Sequence, residues 1–149
     1  MPPVDDFIFV PDPANPGWSV RPANRTGRFI DIFGEMRGRI EPDGKARIRV
    51  EPQPGHGNVN NAVHGGFILA LIDQSLFIGL RLLEIEGAVG AVTIDCTTQF
   101  MLPVALDKPI DVVVEILRET RRMLFLRGLI EQEGTIAAAF SGTVKKATK

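Results

Sequence analysis

Residues 64–86 read HGGFILALIDQSLFIGLRLLEIE. From His64-Gly65-Gly66 the pattern predicts a helix running to about Glu86, ended by Gly87 and roughly 30 Å long at its usual rise per residue. Its apolar side chains cover nearly the whole circumference, so other structure must enclose it. The longest apolar stretch, Phe67 to Leu83, is broken by Asp73, Gln74, Ser75 and Arg81. It reads as a core helix and not as a membrane span.

Strand patterns flank this helix on both sides. Met36, Gly38 and Ile40 alternate with Arg37, Arg39 and Glu41, and Ile48 and Val50 alternate with Arg47, Arg49 and Glu51. Pro42-Asp43-Gly44 supplies the turn between them. Residues 52–63, PQPGHGNVNNAV, form a polar loop. After the helix, Val92, Ile94, Cys96, Thr98 and Phe100 alternate with Thr93, Asp95, Thr97 and Gln99. Residues 109–118, 121–132 and 135–145 supply three more strands. The inventory predicts an α+β fold: a curled antiparallel sheet of about six strands wrapped around one long central helix. An open two-layer sandwich would leave one flank of the helix wet.

Six of the 11 prolines fall within residues 2–22. That density rules against a helix or a central strand, so residues 1–28 read as an extended arm and 29–149 as the folded domain. Phe7, Ile8, Phe9 and Trp18 would anchor the arm, and Phe29 to Phe33 suggest a short helix. No internal repeat or low-complexity segment occurs.

The chain has 149 residues, 44% hydrophobic and 23% charged, with a net charge of −1. This suits one soluble domain and gives no global field for nucleic acid or an anionic membrane. Cys96 is the only cysteine, so intramolecular disulfides and multi-cysteine zinc sites are excluded. The segment MPPVDDFIFVPDP lacks a basic n-region and a long apolar h-region, so no secretory signal is expected, and a cytoplasmic location fits.

Candidate chemistry concentrates in Asn58 to Asp73. Asp73 follows six apolar residues, Phe67 to Ile72. Buried there, the carboxylate would be a stronger base, although a structural aspartate or one on an exposed flank explains it equally well. Gly65 and Gly66 stand where a helix start presents amides without internal acceptors. These can bind an oxyanion, or the pair can simply form a tight turn. His64 could orient the loop, bind substrate or act as a base. With His56 it lacks a third ligand, so no metal is expected. Asn58 could hold a carbonyl or water, or form a turn.

Together, Asn58, His64-Gly65-Gly66 and Asp73 resemble the N-x5-H-G-G-x6-D signature of the PaaI-like thioesterases (phenylacetate-pathway type) of the hotdog superfamily. The resemblance covers roughly Phe29 to Lys145 and extends to the order of elements. Thr93 occupies the place of the family's strand Ser/Thr, and Phe100 and Pro103 resemble the end of that strand. One departure is Asn61, where many members carry glycine.

The resemblance implies hydrolysis of an acyl-CoA without a cofactor. Asp73 would be base or nucleophile, and the Gly65 amide would polarise the thioester carbonyl, with Gly66 beside it. Asn58 and His64 would position the carbonyl or the water, and Thr93 would assist across a dimer interface. A non-catalytic domain that binds or senses acyl-CoA is the alternative, and it would not need Asp73 with its His-Gly-Gly partner.

The unpaired sheet edge predicts a symmetric homodimer, or a homotetramer as a dimer of dimers, with sites between subunits. Arg118, Arg121, Arg122 and Arg127 cluster at one strand turn, with Lys145 and Lys146 near the C-terminus. Arg121 or Arg122 is expected to meet a CoA phosphate. There is no G-x-S-x-G elbow, no Walker A motif, and no aspartate five residues before either histidine. Cys96, on the apolar face of its strand, reads as a buried inert thiol.

Overall fold

A computed structural model describes residues 8–23 and 25–148. Its strands are β1 (Val10–Pro11), β2 (Ser19–Arg21), β3 (Met36–Ile40), β4 (Ala46–Val50), β5 (Val92–Phe100), β6 (Ile110–Glu119), β7 (Met123–Gln132) and β8 (Thr135–Lys145). One long helix, α1 (Gly65–Leu82), lies between β4 and β5 in the chain. The strands form one sheet in the order β1-β2-β3-β4-β6-β7-β8-β5, and every neighbouring pair is antiparallel. Short 3-10 turns stand at Phe29–Phe33 and Pro54–His56.

Alternation decides which face of the sheet meets the helix. Met36, Ala46, Ile48, Val50, Ile110, Val112, Val114, Leu124, Leu126, Ile130, Ala138 and Val144 are buried. They form one core with Ile68, Leu71, Ile72, Leu76, Ile78 and Leu80 of α1. Helix and sheet approach closely where the strands or the helix lack a side chain. A Cβ at Gly38 would stand 2.7 Å from Leu82 Cδ1, and one at Gly79 would stand 3.2 Å from Val114 Cγ1.

The opposite face is charged. Arg47 donates to Asp111 at 2.9 Å and to Glu131 at 3.0 Å, and it also pairs with Glu41. Arg49 donates to both oxygens of Asp111, at 2.7 and 2.8 Å.

Three expectations need correction. First, the sheet has eight strands, because the Pro-rich segment adds two short ones beside β3. Proline restricts this segment to an edge, which is where it sits. Asp12 accepts from Arg37 at 2.9 Å, and Trp18 lies under the guanidinium groups of Arg39 and Arg49, 4.4 and 4.9 Å from the ring centroid. Phe9 packs on the core while Ile8 is exposed; Phe7 lies outside the described residues.

Second, α1 ends at Leu82 and not near Glu86. Glu84 takes a left-handed conformation with φ 55°. The Ile85 amide donates to the Leu80 carbonyl and the Glu84 amide to that of Arg81. This paired closure stops a helix, and glycine usually supplies the left-handed residue; here a glutamate does, three residues before Gly87.

Third, α1 is enclosed on only part of its circumference. It is long and apolar enough to cross a membrane by length and composition. Nine of its 18 residues are buried among the strands, while Gly66, Leu69 and Asp73 form an exposed flank.

Candidate active site

The site has two parts, one at the start of α1 and one two turns along it. At the start, His64 caps the helix, and its Nδ1 accepts the Gly66 amide at 2.8 Å. An imidazole that accepts at Nδ1 carries its proton on Nε2, so Nε2 is a donor on an exposed side chain. The cap also occupies the Gly66 amide, which corrects the expectation that Gly66 would meet substrate through that group. The Gly65 amide is left without an intrahelical acceptor. Gly65 lies beside the Phe100 ring, with 3.7 Å between a Cβ placed there and Phe100 Cζ.

Asn58 organises the preceding loop. Its Oδ1 accepts from the amides of Asn60 and Ala62, at 2.9 and 3.1 Å. Asn61 adopts φ 58°, the left-handed conformation the loop requires. Asn58 can therefore offer a substrate its Nδ2 group, but not its side-chain oxygen.

Further along, Thr93 Oγ1 donates to Asp73 Oδ1 at 2.6 Å. Simple alternation puts Thr93 with Asp95, Thr97 and Gln99, away from the helix. A bulge between Thr93 and Asp95 changes this. Thr93 pairs with the buried Val144, and Cys96 pairs with Gly142, which itself lies against Leu76. Both residues therefore face α1. Bulges commonly re-aim one side chain in this way. The Thr93–Asp73 contact lies within one chain and does not cross an interface.

Asp73 is exposed in the single chain, contrary to the expectation of burial. Its neighbours Phe67 to Ile72 are apolar, but only some of them turn inward; Leu69 is 46% exposed. Cys96 is also accessible and not buried. Packing around its sulfur raises the thiol pKa, and the charges of Asp73 and Asp95 add to this against a hydrogen bond with Thr98. A thiol held protonated makes a poor nucleophile.

The two parts do not meet in one chain. Gly65 and Asp73 are eight residues apart on α1, about 12 Å along its axis. They cannot act on the same carbonyl from the same helix.

A cleft of about 850 Å³ opens at the C-terminal end of α1. Arg81, Arg121, Arg122 and Lys146 line it with Glu84 and Glu86. Lys146 is paired with Glu119, and Arg127 with Glu115 at 2.8 Å. Arg121 and Arg122 are exposed, and neither forms a salt bridge among the described residues. No group of three or more His, Cys, Asp or Glu among the described residues could hold a metal ion. Sequence weighed His56 only as a metal ligand and Phe100 only as a strand end; the structure stacks the His56 ring on Phe67 and sets the Phe100 ring beside Gly65, contacts made across the chain.

Residues 60–139, more than half of the chain, match the family model of the thioesterase superfamily, and the chain belongs to that superfamily. Its architecture is the hotdog fold. A mutant of the phenylacetic acid degradation protein PaaI from Thermus thermophilus is 25% identical. That match covers 80% of this chain and 98% of the other, with a TM-score of 0.64. Zebra fish thioesterase superfamily member 2 is 17% identical over 84% of this chain and 90% of its own, with a TM-score of 0.72. A hypothetical thioesterase protein with coenzyme A from Streptococcus pneumoniae is 17% identical, covering 80% and 91%, with a TM-score of 0.70. A comparison with curated proteins gives no match.

Proposed function

We propose that this chain hydrolyses an acyl-CoA thioester to the free acid and CoA, in sites completed by a second copy of the chain. The observation that carries the proposal is the 2.6 Å hydrogen bond between Thr93 and Asp73 on the open flank of α1. It holds one carboxylate oxygen of a side chain that is exposed to solvent.

In this reading Asp73 takes a proton from water, whose oxygen attacks the thioester carbonyl carbon. Direct attack by the carboxylate is the variant of this step. The carbonyl oxygen becomes an oxyanion, which the Gly65 amide of the partner copy stabilises. His64 Nε2 and Asn58 Nδ2 orient the carbonyl or the water. The C–S bond then breaks, and the CoA thiolate leaves and takes up a proton. The open edge of β5 is where the second copy would pair, bringing the Asp73–Thr93 half of one chain to the His64–Gly65 half of the other. Arg121 or Arg122, in the cleft beyond the end of α1, would meet a CoA phosphate.

The test is release of free thiol from a panel of acyl-CoAs. Asp73→Asn keeps the shape and removes the basicity, so turnover should fall by about 10² or more with CoA binding retained. An Asn variant that works at the wild-type rate sinks the mechanism. Arg121→Ala with Arg122→Ala should raise KM at low salt and leave kcat nearly unchanged; an unaltered KM removes these residues from the phosphate site.

A further inference from the structure

Every polar atom of His56 is engaged. Its amide donates to the Gln53 carbonyl at 2.9 Å, and its carbonyl accepts the His64 amide at 2.7 Å. Nδ1 accepts the Gln53 amide at 2.9 Å, and Nε2 donates to the Ile32 carbonyl at 2.8 Å. The ring stacks on Phe67, in the first turn of α1, with centroids 3.9 Å apart and planes inclined by 20°. Phe67 in turn meets the Phe33 ring, at 5.6 Å. One side chain thus joins the Phe29–Phe33 turn, the 52–57 loop and the helix start.

We infer that His56 is a positioning residue for the active site: it sets the direction of the first turn of α1 and so aims the Gly65 amide. This rests on the thioesterase reading above. The chemistry selects histidine. The position needs a flat ring to stack on Phe67, with an acceptor at one edge and a donor at the other. Neutral imidazole supplies all three. Lysine and arginine only donate, ionised carboxylates only accept, and phenylalanine only stacks. Because the His64 amide hangs on the His56 carbonyl, a shift of the ring moves the cap and the first two helical amides with it. A misplacement of about 1 Å at a reacting centre is enough to cost up to about 10² in rate.

The experiment compares His56→Phe with His56→Gln. His56→Phe keeps the stacked ring and loses both ring hydrogen bonds. His56→Gln restores a donor and an acceptor without the ring. Kinetics are measured well below each variant's melting temperature. The expected result is that His56→Phe lowers kcat by about tenfold or more with KM little changed, and that His56→Gln recovers part of the loss.

The second readout needs no turnover. In His56→Phe, hydrogen exchange at the Gly66 and Ile68 amides, which His64 holds through its Nδ1 and its carbonyl, should quicken relative to the middle of α1. A folded His56→Phe protein with wild-type kcat and unchanged exchange at these amides overturns the inference. If wild type hydrolyses no acyl-CoA, the proposed function fails while the exchange measurement still decides the role of His56. If His56→Phe does not fold, the same two readouts on His56→Gln decide it: slowed turnover or quickened exchange supports the role, and wild-type values overturn it.

Discussion

The two ends of the sheet are built to opposite plans. At one end the Pro-rich segment folds over β3. Its strands are two and three residues long, and it is held by the Asp12–Arg37 pair and by Trp18 beneath two arginines. Short strands, proline and charge are the usual means of closing an edge to further pairing. At the other end β5 runs for nine residues, mostly exposed. Val92, Ile94 and Phe100 are each more than half exposed, as is Met101 just beyond. This open end also carries Thr93 and borders the flank of α1 with Asp73. The difference teaches that the sheet has one protected edge and one available edge, and that the available one carries residues of the proposed site.

The strongest way to break this comparison is to make the open edge repel a second copy. Ile94→Lys combined with Thr97→Lys puts like charges across any two-fold pairing of β5. The expected result is a folded monomer by sedimentation, with thioester hydrolysis down by about 10² or more, as for a lost catalytic group. A monomer that retains full activity would show that the single chain suffices.

A smaller effect is expected from the charged face near the closed end. Asp111→Ala leaves Arg47 and Arg49 without their shared carboxylate, and removing one partner from a largely buried pair costs about 3 kcal/mol. Denaturant unfolding should show that loss while the oligomeric state stays unchanged. The smallest effect is at the arm. Trp18→Ala removes two cation–π contacts, together about 1–2 kcal/mol. It should lower the melting temperature and leave kcat alone. A change in association state in either variant would mean that the closed end also takes part in assembly.

Much of this was legible in the chain. Strict alternation in Met36–Ile40 and Ala46–Val50, and the N-x5-H-G-G-x6-D spacing, led to the strands, the helix start and the segment proposed as the site. What stayed hidden depends on contacts far apart in sequence. The pairing of the arm with β3 rests on Trp18 meeting arginines about 20 and 30 positions on. The early end of α1 rests on Glu84 accepting a conformation in which glycine is the expected residue. The open flank was missed because helical periodicity counts apolar residues and does not show which of them a neighbour will cover. Family resemblance singled out Thr93 as assisting across a dimer interface, but its hydrogen bond to Asp73 within one chain was not foreseen.

The bulge in β5 has a consequence for how such strands are aligned and redesigned. A strand has a period of two, so one extra residue is a shift of half a cycle: everything before the bulge is in opposite phase to everything after it. Thr93 and Cys96 are an odd number of positions apart, yet both face the helix. Deleting Ile94 would restore regular alternation and still leave Thr93 on the Asp73 side, whereas straightening the bulge at full length would turn Thr93 outward. On this strand, parity matters more than length, and a one-residue gap in an alignment of relatives can leave the threonine in register with its aspartate.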